Sequence, residues 1–208
     1  MIDLQTVLIF IPIALALNLT PGADMLFCFG QGLKSGPKEG VAASLGIATG
    51  AFIHSLAAGL GLAALIAANP LMFELIRWSG VTYLIWLALS ILRKPLAKLE
   101  PHNIPSGGAF KAWRDGTLVC LLNPKILLFI LAIIPQFITP SHGPILTQFL
   151  IFGAILNIGG TIINAVVGIT AGSLGKFLTQ NEGFSKILQY ATSFIFLSLA
   201  AKLAFDKK

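Results

Sequence analysis

The chain has 208 residues, 56% hydrophobic and only 11% charged, with a mean hydropathy of +0.87. A water-soluble domain of this length carries about a quarter charged residues, so the composition excludes that class and calls for a lipid-facing exterior. The net charge of +6 lies between apolar runs, without interleaved aromatics, which reads as a topology signal and excludes a nucleic-acid footprint.

Six transmembrane helices are predicted, making an all-α membrane protein with the lipid bilayer as a partner. The first helix runs from about Leu4 to Leu33 and is interrupted at Thr20-Pro21-Gly22. Its opening, MIDLQTVLIF, lacks a basic start and a small-residue cleavage site, so it reads as a retained span and not a signal peptide. The second covers Val41 to Ala68 and ends at Asn69-Pro70. Ala42, Gly46, Gly50, His54 and Ala58 recur along it every four residues, a ridge for close helix approach that suits an internal contact or a homodimer. The third covers Leu71 to Leu92, with Glu74 and Arg77 as an interfacial pair three residues apart.

A polar link follows, RKPLAKLEPHNIPSGG, with three prolines and mostly basic charges. The fourth helix runs from about Ala112 to Ile138 and is interrupted at Asn123-Pro124. The fifth covers Ile145 to Leu174, where Gly160, Asn164, Gly168 and Gly172 form a second small-residue line with Asn157 beside it. Asn157 and Asn164 either bond between helices or line a polar path. The sixth covers Phe184 to Phe205. Between Lys125 and Lys176 there are 50 residues without a charge, room for two spans of about 20 residues each. These runs are too long for strands and lack the alternation of a barrel.

The chain reads as one domain, 1–208, made of two three-helix halves, 1–92 and 112–208, around a cytoplasmic linker at 93–111. An odd number of helices per half makes the halves inverted relative to each other. With the N-terminus outside, the inner loops hold Lys34, Lys38, Arg93, Lys94, Lys98, Lys111, Arg114, Lys176 and Lys186, against Arg77, Lys202, Lys207 and Lys208 outside. That bias places both termini outside. Helices 1 and 4, the first of each half, are the ones interrupted at prolines, and matched breaks in inverted halves point to a transporter binding site.

Pro21 lacks an N–H and clashes with the carbonyl of Leu17 four residues back. A helix can restart there with Thr20 as its cap and Pro21 first inside; Asn123 and Pro124 repeat the arrangement. Each restart offers unpaired N–H groups to an anion. Asp24 and Lys125 follow the two breaks, and each costs several kcal/mol in apolar surroundings if left alone. Lys125 also meets the unfavourable end of a helix dipole, which calls for an acidic partner, either Asp24 or a ligand carboxylate. His54 serves as a hydrogen-bonding core residue or in a proton-coupled step. Cys28 and Cys120 have no CxxC or Cys/His spacing and read as small buried hydrophobes. His102 and His142 lie in loops without metal-ligand spacing. AGSLG, Ala171 to Gly175, has alanine where a serine elbow needs glycine, and there is no phosphate-binding GxxxxGK[ST], so neither an enzyme nor a nucleotide-driven pump is expected.

TPGADMLF, GLKSGPKEGVAASLGIATG, LIRWSGVTYLIWLALSILR and LLNPKILLFILAIIPQF, in this order, resemble the LysE/RhtB family of bacterial amino-acid exporters over nearly the whole chain. By that resemblance the family's P-G-P falls on Pro21, Gly22 and Ala23, its N-P-K on Asn123, Pro124 and Lys125, and its P-Q-F on Pro135, Gln136 and Phe137. Ala23 is a departure, since the family commonly has proline there. The resemblance implies proton-driven efflux of an amino acid or derivative from the bacterial inner membrane, with no cofactor. The expected site is Asn18, Thr20, Pro21, Gly22, Asp24, Asn123, Pro124 and Lys125. A zwitterionic substrate would set its carboxylate by Lys125 and its ammonium by Asp24, with Asn18 or Asn123 assisting. Asp24 is the first candidate for the proton carrier and His54 the second. The rival readings are a membrane redox carrier using Cys28 and Cys120, and a passive channel or structural membrane protein.

Overall fold

Backbone polar groups inside a bilayer must be satisfied within the protein, and a helix does so within one segment. The computed structural model describes residues 3–68, 71–93, 107–171 and 182–205, and among these there is no strand. The helices are α1 (Leu4–Leu19), α2 (Ala23–Ser35), α3 (Pro37–Ala68), α4 (Leu71–Arg93), α5 (Gly108–Leu121), α6 (Pro124–Ile133), α7 (Ile145–Ile169) and α8 (Glu182–Phe205). A 3₁₀ turn, Ile134–Phe137, extends α6, and a second, Pro140–His142, precedes α7.

Among the described residues, two apolar stretches, Pro37–Gly61 and Ile145–Ile169, are long enough to cross a membrane, and the number rises to four if each bent pair counts as one span. Those pairs are α1 with α2 and α5 with α6 through Phe137, each bent by 55°. Shorter apolar helical stretches, Trp78–Arg93 and Tyr190–Ala201, lie within α4 and α8. Two predicted starts move. α3 begins at Pro37, four residues before Val41, because proline is well suited to a first helical position. α5 begins at Gly108, and its first turns are polar, with Arg114 and Asp115 in contact at 2.8 Å. Most of the linker (94–106), His102, Gly172, Lys176, the end of the fifth predicted helix and the side chains of Glu74 and Arg77 lie outside what is described.

α1 shows how an all-apolar helix divides its surface. Leu4, Leu8, Ile11, Leu15 and Leu19 form one exposed stripe at helical spacing, while Phe10, Ile13, Ala14 and Leu17 are buried on the other side. The exposed leucines suit lipid; the buried face joins the main core. There Phe10 meets Phe137 and Phe152 edge-on, with ring centroids 5.1 and 5.0 Å away, tying α1 to the end of α6 and to α7.

The glycine ridges set the helix spacing, and they are spent inside the chain. A Cβ on Gly46 would strike the Trp113 backbone, and one on Gly50 would lie 2.7 Å from the Cys120 Cβ, so this face of α3 is covered by α5. That removes the ridge as a homodimer surface. Gly40 and Gly32 both approach the backbone of Gly168 on α7. Cys28 and Cys120 are buried free thiols in a small cluster between α2, α3 and α5.

Candidate functional site

The two breaks meet. Thr20 and Asn123, each before a proline, adopt extended backbone, ψ 114° and 105°, as the proline ring requires of its predecessor. Pro21 frees the carbonyl of Leu17 and Pro124 that of Cys120, because neither proline has an N–H to give. Each carbonyl is then shared between a nearby backbone N–H and a side chain from a distant part of the fold. Leu17 O accepts from Thr20 N at 3.2 Å and from Lys125 Nζ at 3.3 Å. Cys120 O accepts from Asn123 N at 3.0 Å and faces His54 Nε2 at 3.2 Å. A carbonyl can only accept, so that ring nitrogen carries the proton in this contact.

Lys125 reaches from α6 into the first break, where its ammonium also donates to Thr20 O at 2.8 Å. The direct hydrogen-bond partners of the ammonium are thus the last-turn carbonyls of α1, the negative end of that helix dipole, and not the Asp24 half of the expected choice between Asp24 and a ligand carboxylate. The penalty of a lysine in the first turn of α6 is relieved because its charge is delivered elsewhere. The ammonium packs against Gly22, where an added Cβ would sit 3.4 Å from Lys125 Nζ, in ordinary van der Waals contact.

Asp24 bonds to Asn123 instead. Asn123 Nδ2 donates to Asp24 Oδ1 at 2.9 Å, and Asn123 Oδ1 accepts from Lys125 N at 3.0 Å. One amide therefore caps α6 and holds a carboxylate placed in the first turn of α2, the end of that helix that favours a negative charge. Lys125 and His54 both lie near enough to Asp24 to interact with it electrostatically.

Thr20 departs from expectation. It is the C-cap of α1, with Oγ1 donating to Ala16 O at 2.7 Å, and the restart falls two residues later, with Gly22 in the N-cap position. Pro21 therefore precedes the cap and is not the first residue of α2. Asn18 donates to Leu156 O at 3.0 Å and fastens the break to α7. Asn164 is buried and faces the same space, whereas Asn157 bonds Ala48 O at 3.0 Å beside a separate pocket. Tyr83, not foreseen, donates to Lys125 O at 3.2 Å; its signal in the sequence was the one tyrosine of α4, in mid-helix. Asn18, Thr20, Asp24, Asn123, Lys125 and Asn164 enclose a cavity of about 20 Å³, room for about one water molecule.

Broken helices crossing at a buried charged centre, within an apolar helical chain, define a polytopic membrane transporter. The chain belongs to the LysE family: the LysE type translocator family matches residues 15–207. It is 29% identical to a homoserine/homoserine lactone efflux protein of Salmonella typhimurium over 189 residues, 90% of each chain. It is 28% identical to a leucine efflux protein of Enterobacter sp., covering 89% of each. A protein of Vibrio cholerae described as an uncharacterized membrane protein is 33% identical over 80% of this chain and 84% of its own. No solved structure matches. Transporters of this family are not enzymes.

Proposed function

We propose that the chain is a secondary exporter of an amino acid or amino-acid derivative, working by proton antiport and alternating access in the bacterial inner membrane. Its six spans would form two inverted halves with both termini outside. The observation that carries this reading is the exchange of side chains across the breaks: Lys125 of one half occupies carbonyls of the other, and Asn123 holds Asp24. A zwitterion offers the same two charges. Its carboxylate would draw the Lys125 ammonium off Leu17 O and Thr20 O, and its ammonium would take those carbonyls and Asp24. Because the enclosed cavity is about 20 Å³, far below the roughly 300 Å³ of ordinary ligand sites, the two breaks must part to admit substrate. Asp24 would carry the proton, with His54 adjacent. The efflux relatives support the substrate class.

The test is export and counterflow with purified protein in vesicles. Asp24→Asn keeps the size of the side chain and one oxygen that can accept from Asn123 Nδ2, so it should insert and fold while losing proton-driven export. Full proton-driven export from a well-expressed Asp24→Asn protein would remove Asp24 from the coupling step. Labelled amino acid accumulating against an unlabelled gradient separates a carrier from a channel or a scaffold.

A further inference from the structure

A second cavity, about 480 Å³, lies between α3, α4, α6 and α7. That volume is within the range of small-molecule sites. Its walls are small or apolar: Ala57 and Gly61 of α3, Leu128, Leu131 and Ala132 of α6, and Phe149 of α7. The two hydroxyls that reach it are already committed to backbone, Ser79 Oγ to Leu75 O at 2.8 Å and Tyr83 OH to Lys125 O at 3.2 Å. The surface it offers a ligand is therefore apolar.

Three observations connect this cavity with the breaks. Residues three and seven apart share a helix face, so Lys125 lies on the same stripe of α6 as Leu128 and Ala132. Leu128 is about 4.5 Å further along the axis than Lys125 at 1.5 Å per residue, within the reach of one amino-acid side chain. Tyr83 lines the cavity and bonds the backbone of Lys125 itself. Among the described residues, the small size of Gly61 has no packing cause: an added Cβ there meets none of their atoms within 4 Å, whereas Gly46, Gly50 and Gly59 on the same helix all face close neighbours.

We infer that this cavity receives the side chain of the transported amino acid, so that the protein prefers substrates with bulky apolar side chains. This rests on the exporter reading, with the head group held at the breaks and the side chain laid along α6 towards Gly61. Small polar amino acids would fill the head-group site and leave this cavity without contacts.

The test is counterflow of labelled alanine and labelled leucine in vesicles holding wild-type protein, Gly61→Leu or Ala57→Leu. Open space at Gly61 and exposure of Ala57 favour folding of both variants, and melting curves check it. Wild type should favour leucine. Either variant should raise the half-saturating concentration of leucine about tenfold or more while leaving alanine nearly unchanged, the scale set by losing room for one or two methylene groups. Unchanged selectivity in both folded variants, or equal losses for both amino acids, overturns the inference and leaves the exporter reading standing. Phospholipid lost from purified Gly61→Leu with leucine transport unaffected would make the cavity an acyl-chain site, which also overturns it. Wild-type protein that exchanges no amino acid refutes both readings.

Discussion

Lys125→Met separates a residue that holds the protein together from one that handles substrate. Methionine keeps most of the apolar stem and removes the charge. The ammonium makes two charge-assisted bonds, 2.8 Å to Thr20 O and 3.3 Å to Leu17 O. At about 1.5–3 kcal/mol for such bonds, with the longer one near the low end, they supply about 3–5 kcal/mol. Against this stands the desolvation of the ammonium, several kcal/mol for a buried ion. Leu17 O also keeps the Thr20 N–H at 3.2 Å after the lysine is gone. The opposing contributions nearly cancel, so folding stability should change by less than about 2 kcal/mol. Transport should not be spared. A lost charged contact to the substrate carboxylate of about 1.5–3 kcal/mol is at least about tenfold in rate or affinity. Denaturation in detergent measures the first quantity, and counterflow per molecule in vesicles measures the second. Transport per molecule within about twofold of wild type, where at least tenfold is expected, would refute the role of Lys125 as the carboxylate partner. Lys125→Ala is a poorer probe, because truncating the stem adds a cavity cost of about 2–5 kcal/mol.

Asn123 has two duties that substitution can split. Asn123→Ser should retain capping of α6 and lose the bond to Asp24, while Asn123→Ala also loses the cap, about 1 kcal/mol more by thermal denaturation. Equal stability of the two variants would argue against a capping role. Gly168 and Gly61 make an opposed pair. A Cβ on Gly168 would lie 2.8 Å from Gly40 Cα, so Gly168→Ala should cost about 1–3 kcal/mol from overpacking. Gly61→Ala, with open space around it, should be neutral or stabilise by up to about 1 kcal/mol through helix propensity. Matching melting temperatures for these two alanine variants would contradict the close α3–α7 contact.

The breaks were legible because proline acts locally. The absent N–H, the strained predecessor and the freed carbonyl follow from Pro21 and Pro124 wherever they sit. Asn123 as a cap was legible for the same reason. Thr20 was misassigned because threonine before proline can close one helix or open the next; here its hydroxyl turned back to Ala16, and extended Gly22 delayed the restart. The partners of Lys125 and Asp24 were not legible, since which helix end lies about 3 Å from an ammonium depends on how helices distant in sequence pack. Tyr83 and the Gly61 cavity were hidden for a related reason: small residues look alike whether a neighbour presses on them or space lies beside them.

The junction of Gly32, Gly40 and Gly168 bears on how such a molecule could move. Where backbones touch with no side chains between them, there is no layer of rotamers to slip or re-form, and displacement along the contact meets rigid atoms. α2, α3 and α7 should travel as a single body with this junction as its keel. Any rocking must then be absorbed where the backbone is already out of helical register, at Thr20–Gly22 and at Leu122–Asn123. The places weakest in hydrogen bonding would be the hinges, and the site would lie in the joint itself.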